Sequence, residues 1–321
     1  MQSAIVLVGA GSLGRHHLAG LLRSTSLFSI TIVDPSPDAL DLAKKTAAEF
    51  RESAHKIDFQ LEMPATNSVD LAIIATTSGH RAEAVKGLLE KAATVRYMIL
   101  EKILFNRREE YAEISELLEK RCVVAWVNHP RRLYPLHKAL KKYSSTPHFS
   151  HARGGIRYGL MTSVLHYADF FSYLNGSSDF ETDISLLSRE IVPSKREGYL
   201  ELFGTLVFRF KNGSIGAVTS LPQHEGLNVS IASPSMRAEL EESRGAARIS
   251  LKENGWKWEE HEAPLLRQSD LTGSVAEGIL KTGACGLPTY REAAQTHLAV
   301  LEPVQLFLKK AGHNFENYPF T

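Results

Sequence analysis

The sequence predicts an α/β protein with a doubly wound parallel sheet, followed by an α+β domain with a mostly antiparallel, open sheet. Short β-branched runs alternate with amphipathic helical patterns over about the first 125 residues, which is typical of a parallel sheet covered on both faces. After Pro130 the pattern changes to one helical stretch and a series of extended segments. With 321 residues, the chain is long enough for two domains. We place them at residues 1–127 and 128–321.

The first domain is predicted to hold about six strands with helices between them. Ser36, Pro37 and Asp38 are typical of a helix start, with a capping hydroxyl, proline in the first turn and acid at the positive dipole end. Further helices are expected to begin near Ser78 and Arg107. The predicted strands cover residues 4–8, 30–34, 70–75, 97–100 and 123–127.

The second domain is predicted to contain a helix over residues 160–174 and a hairpin. Asn212-Gly213 separates two extended segments, and Asn-Gly supports the positive φ angles of a tight primed turn. The predicted strands are 201–210, 214–220, 229–232, 238–241 and 247–251, and the closing helices are 268–282 and 290–310.

The most informative motif is a glycine loop between the first strand and the first helix. Gly9, Gly11 and Gly14 form GxGxxG, and Asp34 ends the next apolar run. In a dinucleotide-binding βαβ unit, these glycines allow a tight turn, close approach of the pyrophosphate and close helix packing, with the phosphates at the helix amino terminus. Asp34 is placed to accept hydrogen bonds from the adenosine ribose, and its charge would repel a 2′-phosphate. We therefore predict a Rossmann domain that favours NAD(H) over NADP(H).

Composition argues against several other classes of partner. Lys and Arg total 37 against 36 Asp and Glu, a formal charge of +1 with no basic block, which indicates neither a nucleic-acid nor an anionic-membrane surface. The longest apolar runs are strand-length, so we expect a cytoplasmic protein without a membrane span. Cys122 and Cys285 have no metal-ligand spacing, and we expect neither a metal site nor a disulfide.

Two further groups of residues suggest chemistry. Glu101 and Lys102 follow a predicted strand, and ligands bind at the carboxyl ends of strands in such sheets. On the predicted helix, Thr162, His166 and Asp169 are spaced four and then three residues apart, so they share a face.

Together these motifs resemble the glucose-fructose oxidoreductase and inositol dehydrogenase family, Gfo/Idh/MocA, over nearly the whole chain. The resemblance includes the glycine loop, the Ala75 to His80 strand end, Glu101-Lys102, the Arg131 to Pro135 segment, the His166-xx-Asp169 helix and the Asn-Gly hairpin. The Cys285 to Thr289 segment and the final Pro319-Phe-Thr321 look like members found with surface-polysaccharide sugar pathways.

The resemblance implies that Lys102 lies between nicotinamide and substrate and that His166 contacts the hydroxyl being oxidised. An imidazole with a pKa near neutrality suits a proton acceptor, and Lys102 would hold the substrate oxygen. Asp169 either fixes the His166 tautomer or is a helix-surface carboxylate. Implied cofactor-binding residues are Gly9, Gly11, Ser12, Leu13, Gly14, Asp34, Thr76, Thr77, His80, Glu101, Lys102 and Asn128. Implied substrate-binding residues are Lys102, Thr162, His166 and Asp169. Arg132 and Tyr158 either bind substrate in the cleft or have surface roles. Residue type alone adds Arg153, whose guanidinium would grip an acidic or phosphorylated substrate.

Two residues depart from the family's pattern. Ile103 stands where proline usually follows Glu-Lys, so we expect the Lys102 backbone to differ, because a cis bond before a non-proline residue costs about 2.5 to 4 kcal/mol. Thr162 stands where an aspartate is common, so the role of that carboxylate is lost or relocated.

The leading functional hypothesis is an NAD-dependent dehydrogenase or reductase acting on a hydroxyl or keto carbon of a sugar, cyclitol or nucleotide-linked sugar. Two alternatives stay open. One is a glycosidase-type enzyme that oxidises its substrate transiently with no net redox change, and the other is a diverged NAD-binding sensor or partner protein. We expect a homodimer or homotetramer, because the open sheet needs one face covered.

Overall fold

The computed structural model describes residues 2–50, 54–155, 159–224 and 226–320. The chain folds into two compact units. The first unit is Met1–Pro130 with Leu266–Arg291, and the second is Arg131–Leu265 with Glu292–Thr321. This differs from the predicted division at residues 127 and 128, because a late segment of the chain joins the first unit.

The first unit is built on a parallel sheet, which confirms the predicted doubly wound fold. Within the described residues, its strand order is β3-β2-β1-β4-β5-β6. The chain order therefore reverses between β1 and β4, and this switch point is where such sheets bind ligands. The strands are β1 (Ser3–Val8), β2 (Phe28–Val33), β3 (Lys56–Gln60), β4 (Thr66–Ile74), β5 (Ala92–Leu100) and β6 (Val124–Val127).

Helices connect these strands, as the alternating pattern predicts. They are α1 (Ser12–Leu22), α2 (Pro37–Ala48), α3 (Ser78–Lys91) and α4 (Arg108–Lys120). The predicted cap of α2 is confirmed, because the Ser36 hydroxyl accepts a hydrogen bond from the backbone N–H of Ala39 at 3.2 Å.

The helix α7 (Gln268–Thr282) belongs to the first unit because it packs closely against α1. A Cβ atom at Gly20 would lie 2.8 Å from the Cβ of Thr272, and one at Gly273 would lie 2.6 Å from the carbonyl oxygen of Gly20. The two helices thus approach at backbone distance. Arg23 extends the contact by donating to the Ser269 carbonyl at 3.0 Å.

The second unit is built on a mixed sheet. For the residues that the structure describes, the order is β14-β13-β12-β11-β7-β10-β9-β8, and β7 and β10 are parallel while the other neighbours are antiparallel. The mostly antiparallel sheet is thereby confirmed. Its strands are β7 (Phe149–Gly155), β8 (Phe180–Pro193), β9 (Leu200–Phe210), β10 (Ile215–Leu221), β11 (Leu227–Ala232), β12 (Met236–Glu241), β13 (Ala246–Leu251) and β14 (Trp258–Glu262).

One face of this sheet is covered by the helix α6 (Leu160–Asn175). A Cβ atom at Gly216 would lie 2.8 Å from the Phe171 ring, so glycine allows the helix to sit on β10. The other helices are α5 (Pro135–Tyr143) and α8 (Tyr290–Lys310). Across the described residues, we find no helix with the length and apolar character needed to cross a bilayer.

The hairpin between β9 and β10 is confirmed, but its turn differs from the predicted primed turn. The N–H of Gly213 donates to the carbonyl of Phe210 at 3.0 Å, and Gly213 has φ +86°. Asn212 is not among the described residues with positive φ, and its side chain accepts from the N–H of Ser214 at 3.1 Å. This pattern is that of a three-residue loop, in which only the final glycine needs the left-handed region.

Candidate functional site

The glycine loop after β1 has the geometry that its sequence predicts. Gly9 has φ +100°, and a Cβ there would lie 2.9 Å from the carbonyl carbon of Ala75 after β4. A Cβ at Gly14 would lie 1.9 Å from the Gly9 carbonyl oxygen, whereas one at Gly11 would meet no described atom within 4 Å. Ser12 and Leu13 open α1, so the first N–H groups of the helix lie beside the open position at Gly11. This cradle fits a pyrophosphate.

Asp34, at the carboxyl end of β2, contacts the glycine loop directly. Its Oδ2 accepts a hydrogen bond from the backbone N–H of Ala10 at 2.7 Å, and its Oδ1 accepts from the N–H of Ser36 at 2.9 Å. The carboxylate is partly exposed. Two backbone donors thus orient the acid where the fingerprint requires it.

The loop after β4 carries the predicted residues Thr76, Thr77 and His80. The hydroxyl of Thr77 and Nδ1 of His80 are 3.1 Å apart, and the His80 side chain is exposed. Thr76 is partly buried, and its carbonyl accepts a hydrogen bond from Arg81.

Arg81 joins this loop to the loop that carries Lys102, a role that the sequence reasoning missed. The guanidinium is 2 % exposed and donates to the carbonyls of Thr76, Ile103 and Leu104, with 2.9 Å to Leu104. The missed signal is its spacing, because Arg81 lies four residues before Val85 on the buried stripe of α3. An arginine on an apolar stripe needs buried acceptors.

Glu101, which the resemblance implies binds the cofactor, is buried. It is 3 % exposed, and its Oε1 lies 2.8 Å from Nε2 of His17 and accepts from Nδ2 of Asn128. Burial raises the pKa of the Glu101 carboxyl, but the hydrogen bond and charge of His17 and the hydrogen bond from Asn128 outweigh burial and lower it overall. Asn128 is also buried, and it donates to Oε1 of Gln268 at 2.7 Å.

Lys102 follows Glu101 at the carboxyl end of β5 and is partly exposed. The peptide bond between Lys102 and Ile103 is cis. The expectation that the Lys102 backbone differs for want of a proline, and so lacks a cis bond, is therefore wrong for this chain. Ile103 itself is fully buried.

In the second unit, α6 carries Thr162, His166 and Asp169, and the predicted helix is confirmed. His166 is partly exposed, but Asp169 is fully buried. Asp169 pairs with Arg132, whose Nε and Nη2 donate to its two oxygens at 2.8 to 3.1 Å. Asp169 is therefore neither a helix-surface carboxylate nor the group that fixes the His166 tautomer, because both of its oxygens accept from Arg132 inside the second unit. Arg132 is also buried in this pair, with 8 % of the residue exposed.

The structure separates Arg153 from the helix that carries His166. Arg153 lies on β7, three residues after Ser150, and Ser150 pairs with Gly216 on the face covered by α6. Because side chains alternate along a strand, Arg153 lies on the opposite face. There it is exposed and contacts Ser230 Oγ at 3.4 Å. A grip by Arg153 on a substrate beside His166 does not fit this placement. Tyr158 lies outside the described residues.

Glu201 on β9 is a second residue that the sequence reasoning missed. It is 8 % exposed, and its Oε1 accepts from the backbone N–H of Thr162 at 2.9 Å. A Cβ at Gly159 would collide with its carboxylate. A carboxylate therefore does lie at the amino terminus of α6, on a neighbouring strand rather than on residue 162.

Comparison with protein families matches residues 3–129 to the oxidoreductase family with an NAD-binding Rossmann fold (GFO_IDH_MocA). These residues are similar to the Gfo/Idh/MocA family. The predicted family is thereby confirmed for residues 3–129, which carry the glycine loop, Glu101 and Lys102. No curated protein sequence matches the chain.

Solved structures share the fold over nearly the full length. UDP-N-acetylglucosamine 3-dehydrogenase GnnA from Acidithiobacillus ferrooxidans is 14 % identical, with TM-score 0.68 over 94 % of this chain and 96 % of that chain. An oxidoreductase from Agrobacterium radiobacter, in complex with NAD+, L-tartaric acid and magnesium, is 13 % identical, with TM-score 0.71 over 94 % of each chain. A super-repressor mutant of Gal80p from Saccharomyces cerevisiae is 15 % identical, with TM-score 0.70 over 97 % of this chain and 96 % of that chain.

Among the predicted site residues, two groups differ in burial. Those that line the glycine loop and the strand ends of the first unit lie together, and Gly9 meets Ala75 and Thr76 directly. Glu101, Asn128, Arg132 and Asp169 instead form the buried hydrogen bonds beneath such loops and helices.

Proposed function

We propose that this protein is an NAD-dependent dehydrogenase or reductase that acts on a hydroxyl or keto carbon of a sugar, cyclitol or nucleotide-linked sugar. The observation that carries the proposal is the glycine loop, which is open at Gly11 and hydrogen-bonded to Asp34. Glu101 and Lys102 follow the strand β5 of the same sheet. The dehydrogenase from Acidithiobacillus ferrooxidans, whose named substrate is UDP-N-acetylglucosamine, supports a carbohydrate substrate through its shared fold.

Asp34 favours NAD(H) over NADP(H) in this proposal. Its carboxylate is held by Ala10 and Ser36 and is partly exposed. A 2′-phosphate brought to the same ribose would add negative charge beside it, and like charges disfavour each other. The ribose hydroxyls of NAD would donate to the same oxygens.

Lys102 and His166 carry the chemistry. When bound, the nicotinamide supplies the hydride acceptor or donor. His166, partly exposed on α6, takes the hydroxyl proton as the alcohol is oxidised and returns it in reduction. Lys102 donates a hydrogen bond to the same substrate oxygen, which stabilises the negative charge that develops there.

The test is a steady-state assay with a panel of sugars, cyclitols and nucleotide sugars, reading NADH absorbance and product. We expect turnover that Lys102→Met and His166→Ala each reduce by about 100-fold or more. Lys86→Met is a matched control, because Lys86 pairs with Glu113 on helices α3 and α4 away from the strand ends. Full turnover in Lys102→Met would overturn the mechanism. Product without net NADH would identify the glycosidase-type alternative.

A non-enzymatic function is the second candidate. It is favoured by the shared fold of Gal80p, which is described as a super-repressor mutant, and by Thr162 at a position where the family commonly has an aspartate. Tight NAD binding without turnover across the panel, together with a stable partner protein, would favour this candidate over the enzyme.

We also propose a homodimer or homotetramer that pairs through the sheet face opposite α6. Phe149, Arg153 and Leu186 lie on that face, and Phe149 and Leu186 are 47 % and 60 % exposed. Covering this face would bury those apolar side chains. Sedimentation equilibrium is expected to give a dimer or tetramer for the wild type and a smaller species for Leu186→Glu. A role in surface-polysaccharide sugar metabolism rests on the carboxyl-terminal resemblance alone.

A further inference from the structure

His17 and Glu101 form a buried pair that the proposed chemistry does not use. Nε2 of His17 lies 2.8 Å from Oε1 of Glu101, and the side chains are 1 % and 3 % exposed. His17 lies on α1, the helix that begins at the glycine loop, and Glu101 directly precedes Lys102. Buried groups of this kind persist only when they are paired and hydrogen-bonded.

The pair belongs to a larger set that we name the buried ring. Oε1 of Glu101 also accepts from Asn128, which donates to Oε1 of Gln268 at 2.7 Å. Nε2 of Gln268 donates to the Thr272 hydroxyl at 2.9 Å, and that hydroxyl lies 3.0 Å from Nδ1 of His17. The ring therefore closes through α1, the ends of β5 and β6, and α7.

The hydrogen-bond donors within the buried ring fix where the His17 proton lies. Glu101 accepts from the amide of Asn128, and its lowered pKa keeps it a carboxylate, which accepts and does not donate. Nε2 of His17 must therefore carry a hydrogen. This arrangement holds the imidazole in one orientation against Glu101.

The backbone around Lys102 is held from both sides. On one side, Oε2 of Glu101 accepts from the N–H of Lys102 at 3.3 Å. On the other side, Arg81 donates to the carbonyls of Ile103 and Leu104. Displacing Glu101 would therefore displace the Lys102 backbone.

We propose that His17 is a positioning residue for Lys102, because its bond to Glu101 makes the glycine-loop helix and the Lys102 loop one hydrogen-bonded assembly. The catalytic role of Lys102 rests on the proposed function. The placement of its ammonium group is a separate physical property, and it is measurable without a substrate. Misplacing a reacting group by about 1 Å reduces the rate by about 100-fold.

The experiment follows Lys102 directly. Lysines are reductively methylated with ¹³C-formaldehyde in the full-length protein, the Lys102 signal is assigned by its loss in Lys102→Arg, and its titration midpoint is measured by NMR. The variants are His17→Leu, which removes both ring bonds, and His17→Gln, which retains a donor towards Glu101. Leu18→Val is the matched control, since Leu18 is the fully buried neighbour on α1. Thr272→Val is a milder change, because it keeps the bond between His17 and Glu101 and removes the hydroxyl that contacts Nδ1 of His17 and accepts from Gln268.

We expect the Lys102 midpoint to move in His17→Leu, to move less in Thr272→Val and to return towards the wild-type value in His17→Gln. Where a substrate is turned over, kcat should fall by about 10- to 100-fold in His17→Leu, with NADH affinity close to the wild-type value. If the Lys102 signal in His17→Leu matches that in Leu18→Val, the buried ring only stabilises the fold and the inference is wrong. If His17→Leu does not fold, an unmoved signal in Thr272→Val overturns it equally. Absence of turnover in the wild type would count against the proposed function alone.

Discussion

Oδ2 of Asp34 accepts a hydrogen bond from the backbone N–H of Ala10 at 2.7 Å, so the acid that ends β2 is tied to the glycine loop that follows β1. A carboxylate held by backbone donors has little freedom left to lose when a ribose binds, and preorganisation of this kind strengthens binding. The contact also places a fixed negative charge beside the predicted ribose position.

Removing the Asp34 charge should weaken discrimination between the two dinucleotides. The wild type should bind NADH more tightly than NADPH, by about 10-fold or more, because like charges about 4 Å apart repel by roughly 1 kcal/mol in water and more near a protein surface. Asp34→Ala should narrow this gap. Fluorescence titration of both cofactors measures it, with Asp38→Asn as the exposed acidic control on α2. Equal affinities in the wild type would refute the assignment.

Breaking the Arg81 bridge should destabilise the first unit. Arg81→Met leaves the carbonyls of Thr76, Ile103 and Leu104 without this donor, and buried acceptors without partners cost about 1 to 3 kcal/mol each. Arg81→Lys should recover only part of the loss, because an ammonium lacks the planar fork. Urea denaturation measures the free energy of unfolding. Arg96→Met, which breaks an exposed pair with Asp70, should change it by less than about 1 kcal/mol.

Asp169 and Arg132 should behave as a coupled structural pair. Asp169→Asn removes the bidentate charge partner of the buried guanidinium, which keeps a longer ion pair with Glu292 at 3.7 Å. Breaking a buried pair of this kind lowers the free energy of unfolding by about 3 to 5 kcal/mol. The double variant Asp169→Leu, Arg132→Met should lose less than the sum of the single changes. Asp183→Asn supplies the exposed control, since its pair with Arg209 lies at the surface. Strictly additive losses would show that the pair is not coupled.

His148 should make the second unit sensitive to acid. Its side chain is 3 % exposed, and burial, with the charge of Lys141 second, lowers the pKa of His148 to about 4 from 6.5. Between these two pH values, His148 binds a proton in the unfolded chain but stays neutral in the folded protein. The free energy of unfolding therefore falls as the pH drops from about 6.5 to about 4, by up to about 1.4 kcal/mol per pH unit.

The measurement is urea denaturation of wild type and His148→Phe between pH 4 and 7. The variant should lose stability less steeply over this range, and above pH 7 the difference between the two proteins should no longer change with pH. His261→Phe, at an exposed position of β14, should retain the wild-type slope. A slope shared by wild type and His148→Phe would rule out His148 as the acid-sensitive group.

Local sequence was sufficient wherever a pattern refers only to neighbouring residues. The glycine loop, the cap at Ser36 and the bounds of α7 and α8 follow from turn chemistry and helical periodicity, which act within a few residues. The strands β3, β7, β8 and β14 and the helix α5 were not predicted. β8 carries register shifts against β9, and every residue of β14 is exposed, so neither presents a regular alternation of buried and exposed side chains.

What the sequence determined by itself was the fold class and the dinucleotide fingerprint, because residue type and spacing specify these, while the proposed roles of Lys102 and His166 came from the family resemblance. Only the tertiary structure decided that α7 returns to α1, that Glu101 pairs with His17, and that Asp169 belongs to Arg132. His17 and Thr272 are 255 positions apart, yet their side chains meet at 3.0 Å. Partners for buried polar groups are chosen by proximity in space, and periodicity along the chain carries no information about such contacts.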